Sequence, residues 1–405
     1  MLYLIVLSFN DVKERFLNLL SPGDKYLVIE ILNHHLQATV IRADLQTKQL
    51  RIIKNYVSEI EKLDPVLIAK EAGKILKKIR KPSSYRIILS LDPRLATTIY
   101  STVPLVREKA GEVIDEADAD NLISQAVWRF FDRQRIKIAD KMDIEETDVL
   151  LTDVRIRGVK VDGHRVINPI GFKAKSVEIY FSQTFLARDL LRSLREILPL
   201  EKVVLVAEAG TVLTHSLSRV LNLDQIFLVN IFPDQTVLYS ASPARFSHLD
   251  NYPWGQNNLL TALGGQLAVE PATARRIIDL HNENHGSPIF LKRLEGILLN
   301  ELQIFLNGLE SIVDQRAALI FLNPYFNLPL LALSSRLQNR SNRDFQIVSL
   351  STGADMEKFG FKVKLKKSAP IKNLANILAV FWEISSWPKE DKLSHLAKRR
   401  ARWLS

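Results

Sequence analysis

Three groups of side chains in this 405-residue sequence have the types and spacing to do chemistry. Glu112, Asp115, Glu116, Asp118 and Asp120 place five carboxylates within nine residues, a density that would suit a hard cation with oxygen ligands. The run leads straight into Leu122, Ile123, Ala126, Val127 and Phe130 at helical spacing, so helix N-terminal chemistry accounts for it better, acidic side chains capping free N–H groups and complementing the dipole. His281 and His285 lie four apart with Glu283 between them, which on one continuous helix would pair the imidazoles for a metal. Gly286 argues that the helix ends there, and the order is not HExxH, so no metal is expected. The third group is basic: from Lys389 the last 17 residues carry six basic and two acidic side chains, with Leu393, Leu396, Ala397, Trp403 and Leu404 at roughly helical spacing and Arg400 interrupting the apolar face. Lysine and arginine there suit anionic headgroups while Trp403 and Leu404 suit the lipid interface. Nucleophile elbow, Walker loop and dinucleotide glycine fingerprint are all missing, and no catalytic residue is assigned.

The elements that must carry these groups read as mixed α/β. Apolar strand patterns fall at 26–31, 37–43 and 50–56, with a helix at 65–79 and a further strand at 86–90. Residues 150–161 and 176–181 alternate as half-buried antiparallel strands do. Between them lie Asp162-Gly163, a hairpin signal, and Asn168-Pro169 followed by Gly171, a second reversal. A helix is expected at 184–197, a strand at 203–207 and a helix at 209–221. Beyond these come a hairpin at 226–240, strands at 317–322, 346–350 and 361–365, and an apolar helix at 371–384. Residues 11–20 set Val12, Phe16, Leu19 and Leu20 on one helical face.

Taken together, V-D-G at 161–163, I-N-P-I-G at 167–171 and the alternating strand after them resemble the inserted SHS2 subdomain of the FtsA cell-division family, part of the actin-like superfamily. The resemblance covers about residues 25–384 and implies an α/β, actin-like (RNase H-like) two-lobed fold with an inserted SHS2 subdomain. On that template residues 1–24 are an N-terminal amphipathic segment, 25–85 with 184–222 form subdomain IA, and 86–183 form the SHS2 insert. Residues 223–250 with 311–386 form subdomain IIA, 251–310 subdomain IIB, and 387–405 a basic amphipathic tail.

The same resemblance locates three turns that face a nucleotide in active relatives, where glycines admit phosphate and base against bare backbone. Each departs from the family pattern. The first reads Glu30-Ile31-Leu32-Asn33, with Leu32 in place of glycine. The second runs from Asn230 to Thr236, with Asn230 lacking the carboxylate, Phe232 in place of glycine and only Thr236 retained. In the nucleoside contact Ala274 is kept, but Arg275 and Ile278 occupy the Glu and Lys positions. The adenine turn of three glycines has become Asn323-Pro324-Tyr325-Phe326-Asn327, where Pro324 and Tyr325 fill the space. The expectation is a degenerate nucleotide site and no cofactor, with ATP and magnesium the pair to consider if the site still binds.

Composition fits this. Hydrophobic residues make up 47% and charged ones 25%, which is ordinary for a chain with a real core, and the absence of cysteine fits a cytosolic protein. The apolar runs at 1–7 and 374–384 are too short to span a bilayer, and Asp11 and Lys13 directly after the first argue against a cleaved leader. The net charge of +10 favours an anionic partner, but no basic stripe interleaved with aromatics marks a nucleic-acid groove. By resemblance the chain is a non-catalytic scaffold, peripheral on the inner face of the cell membrane. Leu393, Leu396, Lys398, Arg399, Arg400, Arg402, Trp403 and Leu404 would make the lipid contact. An FtsZ-like division protein would be its partner, and the chain would self-associate into filaments. The alternatives are a scaffold resembling PilM of type IV pilus assembly, which docks a membrane protein's cytoplasmic peptide, and a divergent working actin-like ATPase.

Overall fold

The computed structural model describes residues 23–242, 245–314, 317–350, 357–365, 374–386, 393–394 and 396–397. The helix expected at 11–20 and the basic residues Lys398, Arg399, Arg400 and Arg402, with Trp403 and Leu404, lie outside them.

Strand β1 (Asp24–Leu32) shows how the layers are built. Its residues from Tyr26 on are buried on both faces, and their side chains alternate sides as the period of two demands. Leu27, Ile29 and Ile31 enter one apolar cluster, whereas Tyr26, Val28 and Leu32 enter another. Glu30 therefore faces the same side as Val28 and Leu32. β1 pairs antiparallel with β2 (His35–Asp44), which pairs antiparallel with β3 (Gln49–Glu59). Helix α1 (Pro65–Lys77) follows, its first N–H groups accepted by Asp64. The chain then returns as β4 (Arg86–Leu91), parallel to β1.

Next comes an insert of strand–helix–strand–strand order: β5 (Ala96–Val106), α2 (Glu116–Met142), β6 (Val149–Val161) with the short β7 (His164–Val166), and β8 (Ser176–Ala187). Its sheet order is β5-β8-β6-β7, and α2 packs on it through Leu122, Ile123, Val127 and Phe130. The acidic run does what its position suggests: Asp115 caps α2 by accepting from the Asp118 N–H at 2.8 Å. Asp162 and Gly163 form the β6–β7 turn with φ of +46° and +84°. The Asp162 carboxylate also accepts from the Ser176 N–H at 2.7 Å, tying the turn to the start of β8.

Helix α3 (Arg188–Arg195), β9 (Val203–Glu208) and α4 (Ala209–Leu221) complete the first half. The second half repeats its plan. β10 (Ile226–Ile231), β11 (Thr236–Ser242) and β12 (Arg245–Tyr252) are antiparallel. Three helices follow, α5 (Gln256–Leu267), α6 (Pro271–Asn282) and α7 (Pro288–Ile312). β13 (Ala317–Pro324) and β14 (Asp344–Ser349) then add parallel to β10. Strand β15 (Lys362–Leu365) crosses back to the edge of β3, and α8 (Leu374–Ser385) ends the body. The halves share one strand order, β3-β2-β1-β4-β9 in the first and β12-β11-β10-β13-β14 in the second. Helices α4 and α8 lie between the two sheets, through Val212, Leu213, Leu217, Ile377, Leu378 and Phe381. Helices α1 and α3 cover the outer face of the first sheet and α5 to α7 that of the second.

Four expectations change. The strand at 86–91 belongs to the first sheet, so the insert begins at Ala96 and not at residue 86. Residues 184–187 continue β8 because they pair with β5 and β6, and the helix expected from 184 starts at Arg188. β12 was not anticipated; its register against β11 shifts at Leu238/Tyr239, and Ser247, His248 and Asp250 break any simple apolar alternation. His285 lies past the end of α6, at Asn282, and its Nδ1 contacts Glu283 at 3.0 Å, so the two histidines do not share a helical face.

The start of α4 is pressed against β11. A Cβ on Gly210 would sit 2.1 Å from Cζ of Tyr239, a buried ring, so only glycine fits. Gly210→Ala is expected to lower stability by about 1–3 kcal/mol, read as a reduced urea midpoint with an unchanged slope. An unchanged midpoint would show that the close approach is not real.

Candidate functional site

The site lies where the β1–β2 and β10–β11 turns face each other at the centre of the molecule. Because β1 alternates, Glu30 points into the helix layer, and Asn230 occupies the corresponding place in β10 between Leu228 and Phe232. Leu32 is 3% exposed and packs in the same cluster as Phe232.

Asn33 makes the turn, at φ +50°, a left-handed conformation that asparagine tolerates better than most residues. Its backbone N–H donates to the fully buried Asp92 at 2.8 Å, and its side-chain oxygen accepts from Arg94 Nη2 at 2.9 Å. Arg94 Nε donates to Asp92 Oδ1 at 2.9 Å, which gives the buried carboxylate its counter-charge. The Asn33 amide crosses to the other half, donating to Asp234 Oδ1 at 2.7 Å, and His34 Nε2 lies 3.4 Å from Asp234 Oδ2. The two turns are thereby joined directly.

Behind this bridge Phe232, which is fully buried, stacks on Tyr325 with centroids 4.4 Å apart. Asn376 of α8 donates to Glu30 Oε1 at 2.9 Å and to the Tyr325 hydroxyl at 3.0 Å. The Thr236 hydroxyl donates to the Trp254 carbonyl at 2.8 Å, and Asn230 accepts from Asn323 at 2.8 Å. Every expected nucleotide-facing side chain except Arg275 and Pro324 is thus held in an internal contact or packed in the core. Those two line an open cleft of about 730 Å³ between the halves, together with His34 and Glu59 of the first and Gln256, Asn257 and Tyr325 of the second.

Sequence reasoning missed four residues that build this centre. Asp92, Arg94 and Asn376 lie outside any recognisable spacing. Glu208, fully buried at the end of β9, accepts from the Thr98 N–H at 3.1 Å and pairs with Lys141 Nζ at 3.3 Å, both contributed by the insert. The order strand end, Glu208-Ala209-Gly210, helix start was the one available signal.

No family model matches the sequence, and no curated protein matches it. Among solved structures, a chain of a PilM–PilN type IV pilus biogenesis complex aligns with 91% of this chain and 100% of its own length, at 11% identity and a TM-score of 0.52. A Bacteroides thetaiotaomicron protein with an actin-like ATPase fold aligns over 83% and 95% at 10% identity, with a TM-score of 0.41. The ethanolamine utilization protein EutJ of Carboxydothermus hydrogenoformans aligns over 82% and 92%, also at 10%, with a TM-score of 0.37. This chain has the actin-like ATPase fold. The duplicated strand order and the central helix layer are its frame, and the facing turns are the ones to which the sequence resemblance assigned nucleotide and magnesium.

The residues present do not fit that pair. The Asn33–Asp234 bond joins the two turns directly, and Phe232 and Tyr325 stack beside it. Glu30, the acid expected to help hold a metal, is 4% exposed and bonded to Asn376. Burial pushes its carboxyl up to about 7, with the Asn376 bond opposing the shift. A folded value raised above the unfolded one means that the folded state keeps its proton longer, so stability is fully present below about pH 4.5 and falls as pH rises from there towards 7. Glu30→Gln keeps the acceptor for Asn376 and abolishes the ionisation. It is expected to flatten the stability profile between pH 4.5 and 7 and to raise stability at pH 7 by about 3 kcal/mol, measured by urea denaturation at several pH values.

Proposed function

We propose that this chain is a nucleotide-independent assembly scaffold of the actin-like fold, not an enzyme, working peripherally at the inner face of the cytoplasmic membrane. The observation that carries the reading is the direct Asn33–Asp234 bond between the two turns. In an actin-like ATPase, nucleotide and metal fill the gap between the lobes and gate their closure; here side chains of the chain itself join them. The Phe232–Tyr325 stack, worth about 0.5–1.5 kcal/mol beyond the area it buries, supports the same closed state. ATP is then no cofactor, and assembly is governed by protein and lipid contacts.

The membrane machine best supported is of the pilus type. A similar structure over 91% of the chain comes from a PilM–PilN type IV pilus biogenesis complex, and on this reading the chain would hold a membrane-protein partner. The placement of Leu393 in the insert's apolar core also fits a scaffold that reaches the membrane chiefly through a partner. The second reading is an FtsA-like division scaffold that tethers FtsZ-type filaments and self-associates. Two observations favour it: the strand–helix–strand–strand insert, which is the order of an SHS2 subdomain, and the basic run Lys398, Arg399, Arg400 and Arg402 with Trp403 and Leu404. Neither reading calls for nucleic acid.

Equilibrium ATP binding by the full chain, with and without magnesium, tests the shared core of both readings. No binding up to millimolar ATP is expected, and micromolar magnesium-dependent binding would make the chain a divergent working ATPase. Asp234→Ala is expected to lower stability by about 1–2 kcal/mol, read as a reduced urea midpoint. Co-sedimentation with polymers of the host's tubulin-like division protein separates the machines: the pilus reading expects none.

A further inference from the structure

Beyond α8 the chain returns to the insert. Leu393, 7% exposed, and Ala397, fully buried, belong to the apolar core of the insert, and Leu396 packs against it. Ser394 is 4% exposed, and its hydroxyl oxygen accepts the Ile156 N–H at 2.8 Å. Ile156 lies on β6, whose outer edge β7 covers only from Val159 to Val161. An edge amide within a packed domain needs an acceptor, and here a side chain supplies it in place of a strand. The neighbouring residue, Arg157, pairs with Glu383 of α8. Two points of the chain, Glu383 and Ser394, thus grip adjacent positions of one strand.

The sequence read Leu393 and Leu396 as lipid-facing. Leu393 instead faces protein, and Leu396 is half-buried against the same core. The physical reason is that an apolar helical stripe is equally suited to either environment. One stripe cannot occupy both at once. For Leu393 and Ala397, packing in the insert and burial in a lipid interface are mutually exclusive, while Lys398, Arg399, Arg400 and Arg402 follow directly in the sequence.

We propose that Leu393, Ser394, Leu396 and Ala397 form a releasable strap. Docked, they pack on the insert's core and supply the acceptor for the Ile156 N–H on the β6 edge; drawn onto an anionic membrane by the basic residues that follow, they leave the insert and bare that edge. The inference rests on the membrane reading of residues 398–404 and is independent of the closed interlobe site.

The chain lacks cysteine, so a single introduced thiol reports on the strap. Ala397→Cys in the full chain would be treated with a maleimide, with Lys62→Cys, at an exposed position, as the reference. Vesicles of phosphatidylcholine alone and of phosphatidylcholine with phosphatidylglycerol would be added in parallel, and binding followed by flotation. In solution the thiol at 397 is expected to react at least about tenfold more slowly than the reference, and on phosphatidylglycerol vesicles to approach the reference rate. Ser394→Ala, which removes the acceptor for Ile156, is expected to speed the solution reaction several-fold, which guards against a local effect of the cysteine. Reference-like reactivity in solution would overturn the strap. A thiol that stays protected on vesicle-bound protein would overturn its release alone. Failure to float with phosphatidylglycerol would overturn the membrane reading and the release with it, whatever the thiol does.

Discussion

Helix α8 carries two buried polar side chains, Asn376 and Glu383, each 1% exposed, in a sequence that is otherwise apolar up to its last residue, Ser385. They are seven residues apart, two turns of helix, and so project from roughly the same face about 10 Å from each other. Burying an amide and a carboxylate there is unfavourable unless each is met by partners, and the rest of the structure supplies them. Asn376 is met by Glu30 of the first half and Tyr325 of the second. Glu383 is met by Tyr100 and Arg157 of the insert and by His215 of α4, with Tyr100 stacked on the His215 ring at 4.1 Å. Burial holds the imidazole well below its usual value, and its Nδ1 lies 3.2 Å from the carboxylate. Three parts of the chain are positioned by what two residues of one helix require.

The same rule governs the interlobe centre. Asp92 is fully buried, and an unpaired carboxylate there would be strongly destabilising; Arg94 and the Asn33 N–H make it tolerable. Side chains recruited to satisfy one buried charge also deliver Asn33 to Asp234 across the gap. A buried polar network of this kind adds little net stability compared with an apolar core, but it selects one arrangement of the lobes, since every other arrangement leaves a charge without a partner.

How much of this could be read from the sequence follows from the range of each signal. Strands buried on both faces, such as residues 26–31 and 226–231, are apolar runs bounded by turns, and the Asp162-Gly163 hairpin carries its own backbone chemistry; all were legible. Leu32, Phe232 and Pro324 were legible as departures from the glycines that the resemblance implies, but the contacts around them were not. Asn33 meets Asp234 across 201 residues and Asn376 meets Glu30 across 346, and no local pattern encodes such pairs. The boundary of the insert was misplaced because β4 and β5 are both apolar strands, and only pairing with β1 assigns β4 to the first sheet. The stripe at Leu393 was visible, and its partner was not, because amphipathicity specifies an apolar neighbour without saying which.

The insert leaves the first half between β4 and β9, yet its β5 pairs with β12 of the second half at Tyr100 and Phe246. Parting the lobes would therefore disturb that pairing as well as the Asn33–Asp234 bond and the two contacts of Asn376. An actin-like machine that works by hinge closure needs lobes whose relative position is set by a ligand and is otherwise free to change. Here three separate ties, in β5, in the turns and in α8, fix that position within the chain. On the reading proposed above, a signal cannot enter through the cleft between the lobes and must act at the periphery of the body. The β6 edge is the place where Ser394 and the apolar side chains beside it touch the strand that Glu383 ties to the central helix layer.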